Sequence, residues 1–238
     1  MTLVVPCFDE ARRLRMDELA RLLDESDLAL VLVDDGSTDD TPHLLDQFAA
    51  IHPTATVVHL EANAGKGEAV RRGLLRAIES GPEWVGYFDA DLATPIDEIV
   101  RLVRIALRQP AEVRAVIASR VRLLGSDINR SAIRHYLGRV FATAASMVLE
   151  LPVYDTQCGA KLFRADDLRE PLAEPFTTRW IFDVELLQRL CARLDQPARA
   201  IIEVPLQQWS DVHDSKLGPT AMLRAGWQLL RLRLRSRP

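Results

Sequence analysis

The feature that most constrains the fold is an alternation repeated along the first half of the chain. Short apolar runs occupy 2–5, 28–33, 56–60, 84–88 and 113–118, and helical patterns lie between them. Leu19, Leu22 and Leu23 recur at helical spacing within 17–24. Leu44, Leu45 and Phe48 share a face within 38–51, a segment opened by Ser37 and Thr38 as caps and by Pro42. Val70, Leu74 and Ile78 mark 67–78, and Ile99, Val103 and Leu107 mark 96–107. Such an alternation predicts an α/β fold, a mostly parallel central sheet of Rossmann-like type with helices on both faces. The second half is less regular. It predicts helices over 130–149 and 183–194, a strand over 200–204, a polar loop over 210–219 and a final helix over 222–233. No repeat or linker divides the 238 residues, so one domain over 1–238 is expected.

In a parallel sheet, ligands bind at the carboxyl ends of the strands. That rule selects 6–10, 34–37, 63–67 and 89–94, and all four are polar. Asp89-Ala90-Asp91 follows a strand. Two carboxylates there repel each other unless a cation such as Mg2+ or Mn2+ sits between them and bridges to a diphosphate. The alternative is a solvated loop in which Asp91 or Thr94 caps the next helix. Asp34-Asp35-Gly36-Ser37 presents a carboxylate able to accept hydrogen bonds from a base or a ribose, or else a helix cap at Ser37 or Asp39. Asn63-Ala64-Gly65-Lys66-Gly67 places a lysine at a helix N-terminus, where phosphate is favoured. Lys66 is followed by Gly67, so this is not a Walker A motif.

Charge and cysteines exclude other classes. A net charge of -4 gives no drive toward nucleic acid. The three cysteines, Cys7, Cys158 and Cys191, form no CxxC pair and read as reduced thiols of a cytoplasmic protein. No signal-peptide pattern is visible, and uncharged stretches such as 140–149 fall short of the ~20 residues that span a bilayer. The segment 215–238 carries bases (Lys216, Arg224, Arg231, Arg233, Arg235, Arg237) and no acid. As a helix, its Leu223, Trp227, Leu230 and Leu234 fall on one face. It suits either peripheral contact with the inner face of an anionic membrane or docking on the body.

Taken in order, VVPCFDE (4–10), VDDGSTDDT (33–41), NAGKGEAVRRG (63–73) and DADL (89–92) resemble glycosyltransferase family 2, with its GT-A nucleotide-sugar fold. DTQCGAKLF (155–163), RWIFDVELL (179–187) and VPLQQWSDVHDSK (204–216) look like its dolichyl- and polyprenyl-phosphate glucosyltransferase branch. The resemblance divides the domain into a nucleotide-sugar half (1–120), an acceptor half (121–216) and the basic C-terminal helix (217–238). It implies a UDP-sugar donor, Mg2+ or Mn2+, and a polyprenyl or dolichyl phosphate acceptor, with inversion at the transferred hexose. Pro6, Glu10 and Asp35 would line the uridine site, and Lys66 would lie near the nucleotide or diphosphate. Asp89 and Asp91 would hold ribose and metal. Arg120 and Arg134 would receive the acceptor phosphate, and Lys216 would close over the donor. Asp183 would face sugar or acceptor, serving as general base if the acceptor is instead a soluble hydroxyl. The chain departs from the family in having Asp9 for the usual Asn, Ala93 for a frequent Gln, and no membrane helix. Asp155, Gln157 and Lys161 could serve merely to pin a loop, Cys158 reads as core, His213 as a loop residue, and Trp180 and Trp209 as packing residues. A receiver-like module would carry its acidic pair after the first strand, whereas Asp34 and Asp35 follow the second.

Overall fold

The structure is a computed structural model that describes residues 1–129, 132–179, 181–210 and 226–233, the side chains of 132–137 excepted. Its elements are β1 (Thr2–Cys7), α1 (Met16–Asp24), β2 (Ala29–Asp34), α2 (Thr41–Ile51), β3 (Ala55–His59), α3 (Lys66–Glu79), β4 (Trp84–Phe88), α4 (Ile96–Leu107) and β5 (Ala115–Ser119). Then come β6 (Asp127–Asn129), α5 (Ala132–Leu149), β7 (Ala160–Arg164), α6 (Phe182–Cys191), α7 (Pro197–Ala200), β8 (Ile201–Pro205) and β9 (Gln208–Ser210).

Seven strands form one sheet in the order β3-β2-β1-β4-β7-β5-β8, while β6 and β9 pair separately. All neighbours in the large sheet are parallel except β7, which runs antiparallel between β4 and β5. Because successive side chains of a strand point to opposite faces, the strands sort the core into two layers. Leu3, Val5, Leu30 and Leu32 pack with Leu19, Leu22, Leu45, Phe48 and Ile99. Val4, Val31 and Val33 pack with Val70, Leu74, Leu149, Leu187 and Leu190 on the other face. From β1 the chain order leads outward to β2 and β3 on one side and to β4 on the other. The crevice above β1 and β4 is therefore the topological switch point, the place such sheets bind ligands.

Three expectations are corrected. Helix α2 starts at Thr41, not at 38, because Ser37 and Thr38 engage the loop after β1, whereas Asp39 Oδ1 does accept the N–H of Thr41, the first helical residue, at 2.9 Å. The Asp9 N–H donates to Ser37 Oγ at 3.0 Å, and the Ala11 N–H donates to Asp39 Oδ2 at 3.1 Å. Helix α4 begins after Pro95 with no side-chain cap, so neither Asp91 nor Thr94 serves it. Strand β7 was not expected, since Lys161 and Arg164 disguise a short apolar run. Within the helical residues 226–233, Leu229 and Leu232 are buried in the core, whereas Trp227 and Leu230 of the predicted stripe face outward. Among the described residues no helix is long and apolar enough to cross a membrane.

Candidate active site

The loops after β1, β2 and β3 are bound together by carboxylates accepting backbone N–H groups. Asp9 Oδ1 accepts the Thr38 N–H at 2.8 Å, and the Glu10 N–H donates to Thr41 Oγ1 at 2.9 Å. Gly36 has φ +67, and a Cβ there would stand 2.5 Å from the Ala62 carbonyl carbon, so only glycine lets the second loop meet the third. Asp35 is buried. It accepts N–H groups from Ala64 at 2.8 Å and Gly65 at 2.9 Å, and the Asn63 side-chain amide at 3.2 Å. Burial pushes the Asp35 carboxyl upward, against the pull of those donors. The residue expected to line a uridine site thus ties the loop after β2 to the loop after β3. Pro6 lies opposite Val33 in the β1–β2 register. Glu10 pairs with Arg13 at 2.9 Å, while its Oε2 is buried with no hydrogen-bond partner among the described residues. Burial raises the Glu10 pKa, and Asp91 and Asp39 add to the effect.

At the switch point, Lys66 opens α3 and places Nζ 2.6 Å from Asp89 Oδ1, with 43% of its side chain exposed. Burial disfavours the ammonium, but Asp89 and then Asp183 outweigh it and raise the Lys66 pKa. Asp91 accepts the Ala93 N–H at 3.0 Å, and burial together with Asp89 raises its carboxyl. The backbone of Gly159 passes directly against the Asp89 carboxylate, where any Cβ would collide with it. Among the described residues no three acidic, His or Cys groups form a complete metal cage. Two crowded carboxylates beside a crevice fit a hard divalent cation that completes its shell with substrate and water oxygens, as Mg2+ does.

Beyond β4 the charges pair with one another. Arg120, at the end of β5, donates Nε and Nη2 to Asp155 at 2.7 and 2.8 Å, and its guanidinium lies 5.3 Å from the Trp209 ring. Burial opposes its charge, yet Asp155 raises the Arg120 pKa. Glu203 holds the acidic partner in place by accepting the Tyr154 and Asp155 N–H groups at 2.8 and 2.7 Å. Arg120 also borders a cavity of about 30 Å³ with Arg139, Tyr154, Thr156 and Gln157, room for a single water. Arg134 lies on α5, but its side chain is outside the described residues, as are Lys216, His213 and Trp180.

Asp183 is buried in the first turn of α6. Its Oδ1 accepts Lys161 Nζ at 2.6 Å and also the Tyr87 hydroxyl. Cys158 is core, its thiol pushed up to about 12 by burial. No pattern in the sequence marks Tyr87, Glu203 or Arg139, and Gly159 and Lys161 stand out only as members of DTQCGAKLF (155–163). A lysine inside the apolar run 160–163 was the one available signal, had that run been read as a strand.

A seven-stranded Rossmann-like sheet with an Asp-x-Asp turn and a lysine at its switch point defines a glycosyltransferase of GT-A architecture. The family model for glycosyl transferase family 2 matches residues 2–171, and the chain belongs to glycosyltransferase family 2. It is 32% identical to a dolichyl-phosphate beta-glucosyltransferase of Trichomonas vaginalis over 97% of this chain and 70% of that one. It is 31% identical to a dolichyl-phosphate beta-glucosyltransferase of Dictyostelium discoideum over 99% of this chain and 74% of that one. Among solved structures it resembles glucosyl-3-phosphoglycerate synthase of Mycobacterium tuberculosis in complex with Mn2+ and UDP-glucose. There the TM-score is 0.69 at 22% identity, covering 98% of this chain and 77% of that one, a likeness of fold.

Proposed function

We propose that this chain is an inverting, metal-dependent transferase that moves glucose from UDP-glucose to the phosphate of a polyprenyl or dolichyl phosphate. The observation that carries this reading is the match to dolichyl-phosphate beta-glucosyltransferases, which runs through the acceptor half as well as the donor crevice. In this reading Pro6, Glu10 and the Asp35 wall receive uridine, and Asp89 and Asp91 hold Mg2+ or Mn2+. The bound cation supplies positive charge where the UDP leaving group becomes more negative. Lys66, already beside Asp89, adds charge at the same place, with Lys216 as its expected helper.

A phosphate monoester is anionic near neutral pH, so it attacks the anomeric carbon without giving up a proton to the protein. The bond to the UDP oxygen breaks as the new one forms, and the configuration inverts. The enzyme's task is then to hold two mutually repelling anions in line. Arg120 suits this, because Asp155 engages Nε and Nη2 and leaves Nη1 without a hydrogen bond among the described residues. Arg134 is its expected companion. Contact with the cytoplasmic face of a membrane through the basic C-terminal segment would bring the enzyme to its lipid. The test is incubation with UDP-glucose, Mn2+ or Mg2+ and a short-chain polyprenyl phosphate, with and without EDTA. Glucosyl lipid that disappears with EDTA is expected. UDP-glucose hydrolysis with no lipid product would move the acceptor to a soluble hydroxyl.

A further inference from the structure

We infer that Lys161 is a positioning residue for the transfer step, acting by locking the Asp183 carboxylate at the edge of the donor crevice; this rests on the function proposed above. Lys161 lies in the middle of β7, opposite Tyr87 of β4 and Ile117 of β5, and is 0% exposed. Its neighbours on that layer include Phe163, Ile117 and Phe182. Purely for stability, an apolar residue would serve this position at least as well as a buried ammonium, whose desolvation is costly. The ammonium donates to the Cys158 carbonyl at 2.6 Å and to Asp183 Oδ1 at 2.6 Å. The Tyr87 hydroxyl donates to the same Asp183 oxygen.

Two donors on Oδ1 fix the plane of the carboxylate. Asp183 Oδ2 has no hydrogen bond among the described residues and is not one of the buried unpartnered atoms. It is the oxygen left free to accept a further donor. Phe182, next to Asp183 in the first turn of α6, packs against Gly67 so closely that a Cβ there would stand 2.9 Å from its own, which sets Asp183 beside the start of α3, where Lys66 meets Asp89. A carboxylate held in this way accepts a hydroxyl of the transferred hexose and orients its anomeric carbon toward the acceptor. Lys161 touches no substrate and works through Asp183.

The experiment is a double-mutant cycle of Lys161→Met and Asp183→Asn, read as kcat and donor KM for glucosyl transfer to polyprenyl phosphate and as metal-dependent UDP-glucose hydrolysis. Each single variant is expected to lose about 100-fold in kcat, the scale of a misplaced reacting group, with UDP affinity within about threefold of wild type. The double variant should lose no more than Asp183→Asn alone. Should Lys161→Met fail to fold, the double variant removes both charges, and its comparison with Asp183→Asn still decides. A further 100-fold loss in the Asp183→Asn background, or an unchanged kcat for Lys161→Met, overturns the inference. Absence of lipid product from the wild type overturns the acceptor reading instead, and the hydrolysis arm then reads the cycle alone.

Discussion

The loops after β1 to β3, proposed above as the donor side, and the region around β5 and β7, proposed as the acceptor side, hold their charges in different ways. On the donor side Asp9, Asp35 and Asp39 accept backbone N–H groups from loops that adjoin them on successive strands. On the acceptor side Asp155 and Glu203 also accept backbone N–H groups, but there buried ion pairs between different elements are added, Arg120 with Asp155 and Lys161 with Asp183. A carboxylate that caps backbone amides can be lost while water takes over part of its work. A buried ion pair stripped of one partner leaves a charge stranded away from water, the costlier outcome. Single carboxylates in the loops after β1 and β2 are thus tolerant of change, whereas the buried pairs on β5 and β7 stand or fall together.

The largest expected effect tests this directly. Asp155→Ala strands Arg120, whose side chain is 16% exposed, and should cost about 3 kcal/mol in chemical denaturation. Combining it with Arg120→Met should recover part of that loss, the rest belonging to the Arg120 and Gln157 N–H groups that Asp155 also accepts; no recovery at all would break the pair description. Next comes Gly159→Ala, which drives a methyl group against Asp89. A fall in kcat of about 100-fold with a retained fold is expected, read by transfer kinetics and circular dichroism. Unchanged kinetics would mean that Asp89 need not sit where the structure places it. Asp35→Asn should cost about 1.5 kcal/mol, less than Asp155→Ala, because a neutral amide oxygen still accepts an N–H from Ala64 or Gly65. Equal costs for the two would erase the contrast between the halves.

The smallest effect concerns pH. His59 bridges Asp34 at 3.2 Å and Asp46 at 3.0 Å, and its pKa is raised above 6.5 because these acids overcome the opposing effect of burial. A raised histidine contributes stability that is complete below its unfolded pKa. That contribution fades as pH rises through the folded value, so its loss begins above about 6.5. With the imidazole 41% exposed, the contribution is about a few tenths of a kcal/mol. His59→Gln should flatten the difference in stability between pH 5.5 and pH 8, and an unchanged difference would place its source elsewhere.

Legibility followed the same divide. The first five strands, helices α1 to α4 and the four polar loop ends could be read because periodicity and turn chemistry are local. Residues 37–39 show the limit: they have cap chemistry, yet bind the β1 loop 28 to 29 positions earlier. Arg120 was legible as a candidate, but Asp155 and Glu203 as its supports were not. Strand β7 carries a lysine where an apolar residue would announce a buried strand, and it inserts antiparallel between strands that precede it. Nothing in its own neighbourhood marks that position.

The sequence by itself determined where the strands end and hence where Glu10, Asp35, Lys66, Asp89 and Asp91 gather. A parallel sheet brings the ends of its strands to one edge whatever the details of packing. Only the tertiary structure decided that Lys161 and Tyr87 meet on one oxygen of Asp183, and that Gly159 lies against Asp89. Those contacts join residues 22, 96 and 70 positions apart and depend on β7 being buried between β4 and β5. The physical reason is desolvation. An ammonium needs a fixed carboxylate only once it has been taken out of water, and the burial that does so belongs to the assembled sheet.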